Sequence, residues 1–276
     1  MASWTDEEQS AVVAEYFAML EQELVKQPYR KTEHNRRVQA ATSRSKGSVE
    51  FKFANVSAAL RDMHVPYIDG YKPRINYQSS LSLVVEKFLM GRPLLLELMR
   101  SEVEYPAGPR TDVQWRMVEP PVDAAFSPRR HPAVVHTDFV ALEAANRSLG
   151  AYGEQLIFRR EQQSLRNAGR PDLAEQVEHV SLTRGDGLGY DIASFTHSGA
   201  PRLIEVKTTR RAEHWPMFVS RNEVVVSRDQ SEHFVLARVF HFAKPKVGLY
   251  ELPGAIEESC ILEPDSYRAL PRPSAA

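Results

Sequence analysis

The sequence predicts an α/β chain of the α+β kind, in which a helical first part is joined to a mixed sheet flanked by helices. Three observations carry that expectation. In the first hundred positions apolar residues recur at steps of three and four, the period of an amphipathic helix. Between Pro106 and Pro132 stand six prolines, and each fixes φ and removes a backbone donor, so this stretch reads as an extended connection. From Val177 onward, short runs alternate apolar and polar residues with the period of a strand. At 276 residues, each part is long enough for its own hydrophobic core. The expected divisions are a helical domain over 1–103, a proline-rich linker over 104–136 and a sheet domain over 137–270.

In chain order, Thr5-Asp6-Glu7-Glu8 is a capped helix start. Val12, Tyr16, Met19 and Leu20 continue at helical spacing, which predicts a helix from about Asp6 to Lys26, ended by Pro28. From Lys26 to Lys52, eight basic residues stand against two acidic ones, Glu33 and Glu50, a net +6. A solvated helix-loop surface would look the same. Val49, Phe53, Val56, Leu60 and Met63 then form one apolar helical stripe. The opposite face carries Lys52, Asn55 and Arg61, with Arg44 and Lys46 just before the helix. A short docked helix, basic at its entry and polar outside, is how helix-turn-helix and winged-helix modules present a recognition helix to DNA. Asparagine pairs with adenine, while lysine and arginine reach guanine or phosphate. Pro66 to Arg74 reads as a loop with exposed aromatics and the basic Lys72 and Arg74, a wing or simply a turn. Ser79 to Met90 and Leu94 to Met99 add two helices.

The sheet domain opens with two helices. One is capped by Thr137-Asp138, carries Phe139, Leu142, Ala145 and Leu149 and ends at Gly150; the other starts at Gly153-Glu154 and stops near Gly169-Arg170-Pro171. Val177 to Leu182 is the expected first strand, followed by hairpin strands around Asp191 and Glu205. A helix over Ser220 to Ser227 and strands over Phe234 to Phe240 and Val247 to Leu252 complete an αα-βββ-α-ββ order, a mixed sheet with flanking helices. The tail from Pro271 is expected to be disordered.

The hairpin carries the chemistry. Strand side chains alternate between faces, which sets Glu205 and Lys207 on one face and Ile204 and Val206 on the other. With Asp191 projecting to the first face, two carboxylates and one ammonium converge. Magnesium takes hard oxygen ligands and keeps several waters, so Asp191 and Glu205 suffice as its protein ligands. Lys207 would orient or deprotonate the attacking water, or stabilise charge on phosphorus, and the residues do not choose among these roles. An ordinary surface ion pair between strand neighbours, worth ~0–1 kcal/mol, is the alternative.

Gly189-Tyr190-Asp191-Ile192, then Ile204-Glu205-Val206-Lys207-Thr208-Thr209, then Phe218-Val219-Ser220-Arg221-Asn222-Glu223, resemble the NO VEIN C-terminal domain family. That family is similar to a branch of the PD-(D/E)xK restriction-endonuclease-like superfamily, and the resemblance covers roughly Phe139 to Leu252. It implies a restriction-endonuclease-like core with Asp191, Glu205 and Lys207 as the motif and Glu154 as an auxiliary acid at the metal. Tyr190 stands where the motif has proline. Glu154 at a helix start would equally favour the helix dipole. Arg221 and Asn222 would face the phosphate backbone or cap a helix.

The expectation is therefore a magnesium-dependent endonuclease on double-stranded DNA. The plan also resembles small BisI-like, methylation-dependent restriction enzymes. One site per chain cuts one strand, so a homodimer is the simpler route to a double-strand break. A non-catalytic nucleic-acid-binding scaffold, or a repair or antiphage nuclease on other nucleic acids, would share the motif. Charge is nearly balanced, 35 basic against 36 acidic residues, so a nucleic-acid surface must be a local patch. A single cysteine, Cys260, excludes an internal disulfide framework and a cysteine zinc site and fits a reducing cytoplasm. No window approaches the ~20 apolar residues of a membrane span, and the polar start MASWTDEEQS is unlike a secretory signal, so a soluble cytoplasmic chain is expected.

Overall fold

The structure, a computed structural model, describes residues 3–104, 108–110, 113–121, 142 and 146–264. The N-terminal part is five helices: α1 (Asp6–Leu24), α2 (Lys31–Thr42), α3 (Lys46–Asp62), α4 (Ser79–Met90) and α5 (Pro93–Glu104). The Thr5 hydroxyl accepts the N–H of Glu8, and the Glu8 carboxylate accepts the N–H of Thr5, so the expected capping box starts α1. Helix α1 packs on the other four and contributes Val12, Tyr16, Phe17 and Leu20 to the core. Tyr16 ties the layers together: its hydroxyl bonds Ser57 of α3 at 2.7 Å and accepts the N–H of Ile68 at 2.9 Å.

Helix α3 corrects the expected recognition helix. From Lys52 to Asp62 every residue is buried, so the helix is the centre of the bundle and has no outer face along that length. Lys52 is 3% exposed, with Nζ 3.2 Å from Gln78 Oε1 and 5.4 Å from the Trp4 ring centre. Asn55 donates to the carbonyls of Arg74 and Asn76, which pins the loop above it. Arg61 pairs with Asp62 at 3.0 Å inside the core. Arg44 is held by both oxygens of Glu8 and by the Ser3 carbonyl. Among the described residues from 3 to 104 there is no strand, so Pro66 to Arg74 is a loop and not a wing, and its Tyr67 and Tyr71 are buried rather than exposed. Lys46, Lys72 and Arg74 do lie at the surface; Lys72 reaches Glu213 at 3.4 Å and Arg74 covers the Phe51 ring.

Burial, with the neighbouring Arg44 charge second, pushes the Lys52 ammonium down to about 8. A lysine whose folded value lies below its unfolded one weakens the fold at pH values below that window, and stability recovers as pH rises from about 8 toward 10.5. Lys52→Met is therefore expected to raise Tm at pH 7 by about 2–4 °C, or roughly 1 kcal/mol, and thermal melts at pH 7 and 10 test this.

The C-terminal part is a six-stranded mixed sheet in the order β1-β6-β5-β4-β3-β2. Its strands are β1 (Gln114–Met117), β2 (Glu178–His179), β3 (Ile192–Phe195), β4 (Pro201–Thr208), β5 (Phe234–Phe240) and β6 (Lys246–Pro253). β3 and β4 form the expected hairpin, turned at Gly199 with φ +95°. β5 is parallel to β4, which requires a crossover, and α9 (Arg221–Asp229) supplies its helix. Ile204, Val206, Ala237 and Val239 pack beneath α6 (Arg147–Asn167), while Phe234 and Leu236 pack with Val226 of α9 and Ile256 on the other face. Ile256 opens the one-turn helix α10 (Ile256–Ser259).

Three expectations change here. The break between Gly150 and Gly153 does not exist, since α6 runs through both, and Glu154 lies inside the helix and not at its start. The first strand is cut to Glu178–His179, because Val180–Thr183 turns into a short helix, α8, after the equally short α7 (Pro171–Ala174). The proline-rich stretch contributes β1, which joins the sheet edge parallel to β6. The expected cap at Thr137-Asp138 and the tail from Pro271 lie outside the described residues.

The two parts touch at the β4–α9 connection. Trp215 is buried with the N-terminal core, its ring 5.8 Å from that of Tyr67. Arg238 on β5 donates to the carbonyls of Trp215 and Pro216 and holds this connection on the sheet.

Candidate active site

The hairpin register decides the site. Ile192 lies opposite Ile204, so one step outward sets Asp191 opposite Glu205 on the same face. The N–H of Asp191 donates to the Ile204 carbonyl at 2.9 Å, and Asp191 Oδ2 accepts the N–H of Val206 at 2.7 Å, so the aspartate is fixed on both sides to β4. Glu205 is 5% exposed, which removes the solvated ion-pair alternative. Lys207 Nζ lies 2.8 Å from Glu205 Oε1 and 2.7 Å from Glu223 Oε2. The structure thus joins Asp191, Glu205 and Lys207, as expected, and adds Glu223 from the first turn of α9. Ser220-Arg221-Asn222-Glu223 signals a capping box, and the structure contains it; the second task of Glu223 depends on the crossover that carries α9 over β4.

Glu154 is placed at the edge of this group. Its Oε2 is held by His179 at 3.0 Å and by the Ser181 hydroxyl at 2.6 Å. Burial would raise this carboxyl, but those two hydrogen bonds and the Lys207 charge keep it below the usual glutamate range. It therefore stays ionised, and its charge reaches Asp191. Gly153 explains how α6 comes so close, because a Cβ there would run into the Thr208 side chain of β4. Gly153→Ala is expected to push α6 off the sheet at the cost of about 1–3 kcal/mol, seen as a lower Tm, since β-branched Thr208 cannot swing far.

Like charge shapes the rest. Burial first, and the Glu154 carboxylate second, push Asp191 up to about 7. Burial and the neighbouring Asp191 push Glu205 well above the usual range, against the pull of Lys207. Burial alone would lower Lys207, but Glu205 and Glu223 outweigh it and hold the side chain as an ammonium. Among the described residues, no group of three or more His, Cys, Asp and Glu side chains is arranged to hold a metal ion. Glu154, expected as an auxiliary ligand, is held by His179 and Ser181, which leaves Asp191 and Glu205 as the two carboxylates that a divalent cation, if bound here, would ionise. Two carboxylate oxygens are the kind of donor that magnesium takes alongside several waters.

Arg221 and Asn222 are exposed on the same turn of α9, and Asn222 donates to the Gly187 carbonyl at 2.9 Å. Residues 153–251 match the family described as Protein NO VEIN, C-terminal. No curated protein and no solved structure matches the chain. The matched stretch holds all five charged residues of the site, Glu154, Asp191, Glu205, Lys207 and Glu223, while the helical bundle lies outside it. No helix among the described residues is long and apolar enough to cross a membrane.

Proposed function

We propose that the chain is a magnesium-dependent phosphodiester hydrolase of the PD-(D/E)xK type that cuts double-stranded DNA. The observation that carries this reading is the pairing of half-buried Asp191 with buried Glu205 across one hairpin, with one ammonium between Glu205 and Glu223. Two carboxylates set this close, each pushed toward its protonated form, cost stability when both ionise, and a cation-assisted reaction gives them a use. Asp191 and Glu205 would hold magnesium, which supplies positive charge to phosphate oxygens and lowers the pKa of a bound water. Lys207, kept protonated by its two partners, would donate hydrogen bonds to the water or to the phosphate as charge grows, rather than remove a proton. Arg221 would contact the phosphate backbone beside the site. Two copies of the chain would serve the two strands of a palindromic target.

The test is incubation of supercoiled plasmid, methylated and unmethylated, and of single-stranded RNA with the chain in magnesium and in chelator. Magnesium-dependent nicking or linearisation of DNA is expected. Cleavage restricted to methylated plasmid would make a modified cytosine part of the target, and cleavage of RNA alone would move the substrate assignment. DNA bound but never cut would favour a scaffold role.

A further inference from the structure

The first turn of α9 touches both arms of the site. On one side Asn222 Nδ2 holds the Gly187 carbonyl, in the loop that leads into Asp191. In that loop Gly189 has φ +77°, and a Cβ there would meet Val226 and Asn222, so loop and helix are in direct contact. On the other side Glu223 Oε2 takes Lys207 Nζ at 2.7 Å and the N–H of Ser220 at 3.2 Å. The far end of the helix is anchored separately, through Ser227 Oγ, which accepts the N–H of Ile256, and through Arg228, which pairs with Glu257. One rigid turn thus spans the aspartate arm and the lysine arm.

We propose that Asn222 and Glu223 are positioning residues, a clamp that sets the separation of Asp191 from Lys207, and that Asn222 is not a DNA contact. The proposal deepens the nuclease reading and rests on it only for its activity readout. The two functions of Glu223 separate by substitution. Glutamine at this position still closes the capping box, so Glu223→Gln keeps the start of α9 while removing the charge that holds Lys207.

The experiment compares wild type, Glu223→Gln, Asn222→Ala and Glu257→Ala in single-turnover and steady-state plasmid cleavage, with the lysine ammonium signals of ¹⁵N-labelled protein recorded in parallel. Residues that support reacting groups typically contribute 10- to 100-fold to activity, so kcat is expected to fall about 10- to 100-fold in the first two variants. KM should stay within about twofold, and Glu257→Ala should match wild type. The Lys207 ammonium signal, slowed in exchange by its two carboxylates, should shift and broaden in Glu223→Gln. A rise in KM with kcat intact in Asn222→Ala would restore Asn222 as a DNA contact and overturn its assignment. An unchanged Lys207 signal in Glu223→Gln would overturn the clamp. A wild-type chain that cuts no nucleic acid would overturn the nuclease reading alone, and the ammonium signal would still decide the clamp.

Discussion

At pH 8, Asp191→Asn is expected to melt about 5 °C above wild type, and the gain should shrink toward zero as pH falls to about 4. The reason is the cost of ionising Asp191 in a largely desolvated site beside Glu154. Asp191 holds its proton up to about 7 in the folded chain, whereas an unfolded aspartate releases it near 4. Between those values the folded state carries more protons than the unfolded one, so stability falls as pH rises through the window and stays reduced above it. Asparagine keeps an oxygen for the Val206 N–H and removes the charge. Magnesium should produce the same relief in wild type. At 100 times its Kd, a ligand specific to the folded state adds about 2.7 kcal/mol, or about 5–10 °C here, and that shift should vanish in Asp191→Asn and at pH 5. Melts at four pH values, with and without magnesium, check both halves. A wild type whose stability rises from pH 5 to pH 8 without metal would show that the aspartate does not hold its proton as described.

Glu205→Gln and Lys207→Met should each lower cleavage by about 10²–10³-fold or more while the chain stays folded. Both replacements keep the shape of a partly or wholly buried side chain, but each removes a charge that would face the reacting phosphate or its cation. The variants should also differ from each other. Glu205→Gln leaves Lys207 paired with Glu223, so DNA binding should persist, whereas Lys207→Met leaves Glu205 and Glu223 without their shared cation. Lower affinity for polyanions is then expected, read as retardation of labelled DNA in chelator. Equal cleavage by wild type and Glu205→Gln would remove the site from the chemistry.

The site was more legible in the sequence than its surroundings. Alternation across Leu203 to Lys207 and the turn at Ser198 to Pro201 specify the hairpin, and the hairpin alone brings Asp191, Glu205 and Lys207 together. The start of α1 and both ends of α4 were legible too, from the Thr5 capping box and the stretch from Ser79 to Met90, whereas α1 stops at Leu24, two residues before the expected Lys26. The outward face assigned to α3 was not, because an apolar stripe marks which side is certainly buried and says little about the opposite side. Lys-Phe-Ala-Asn-Val-Ser-Ala-Ala-Leu from Lys52 to Leu60 did carry a signal, since small residues filling the other face suit a helix enclosed all round. α6 passes through two glycines that a local reading takes as a break; its close approach to Thr208 is a tertiary demand with no local trace. Glu223 reads as a cap in the sequence and becomes a partner of Lys207 only through the parallel crossover.

The most direct measurement is a titration of manganese, as a magnesium substitute, into wild type and Asp191→Asn at pH 8, with free ion followed by electron paramagnetic resonance. The account predicts that wild type removes manganese from solution at up to millimolar concentration, that magnesium displaces it, and that Asp191→Asn removes little. Equal uptake by both proteins, or none by wild type, would contradict a cation site at Asp191 and Glu205.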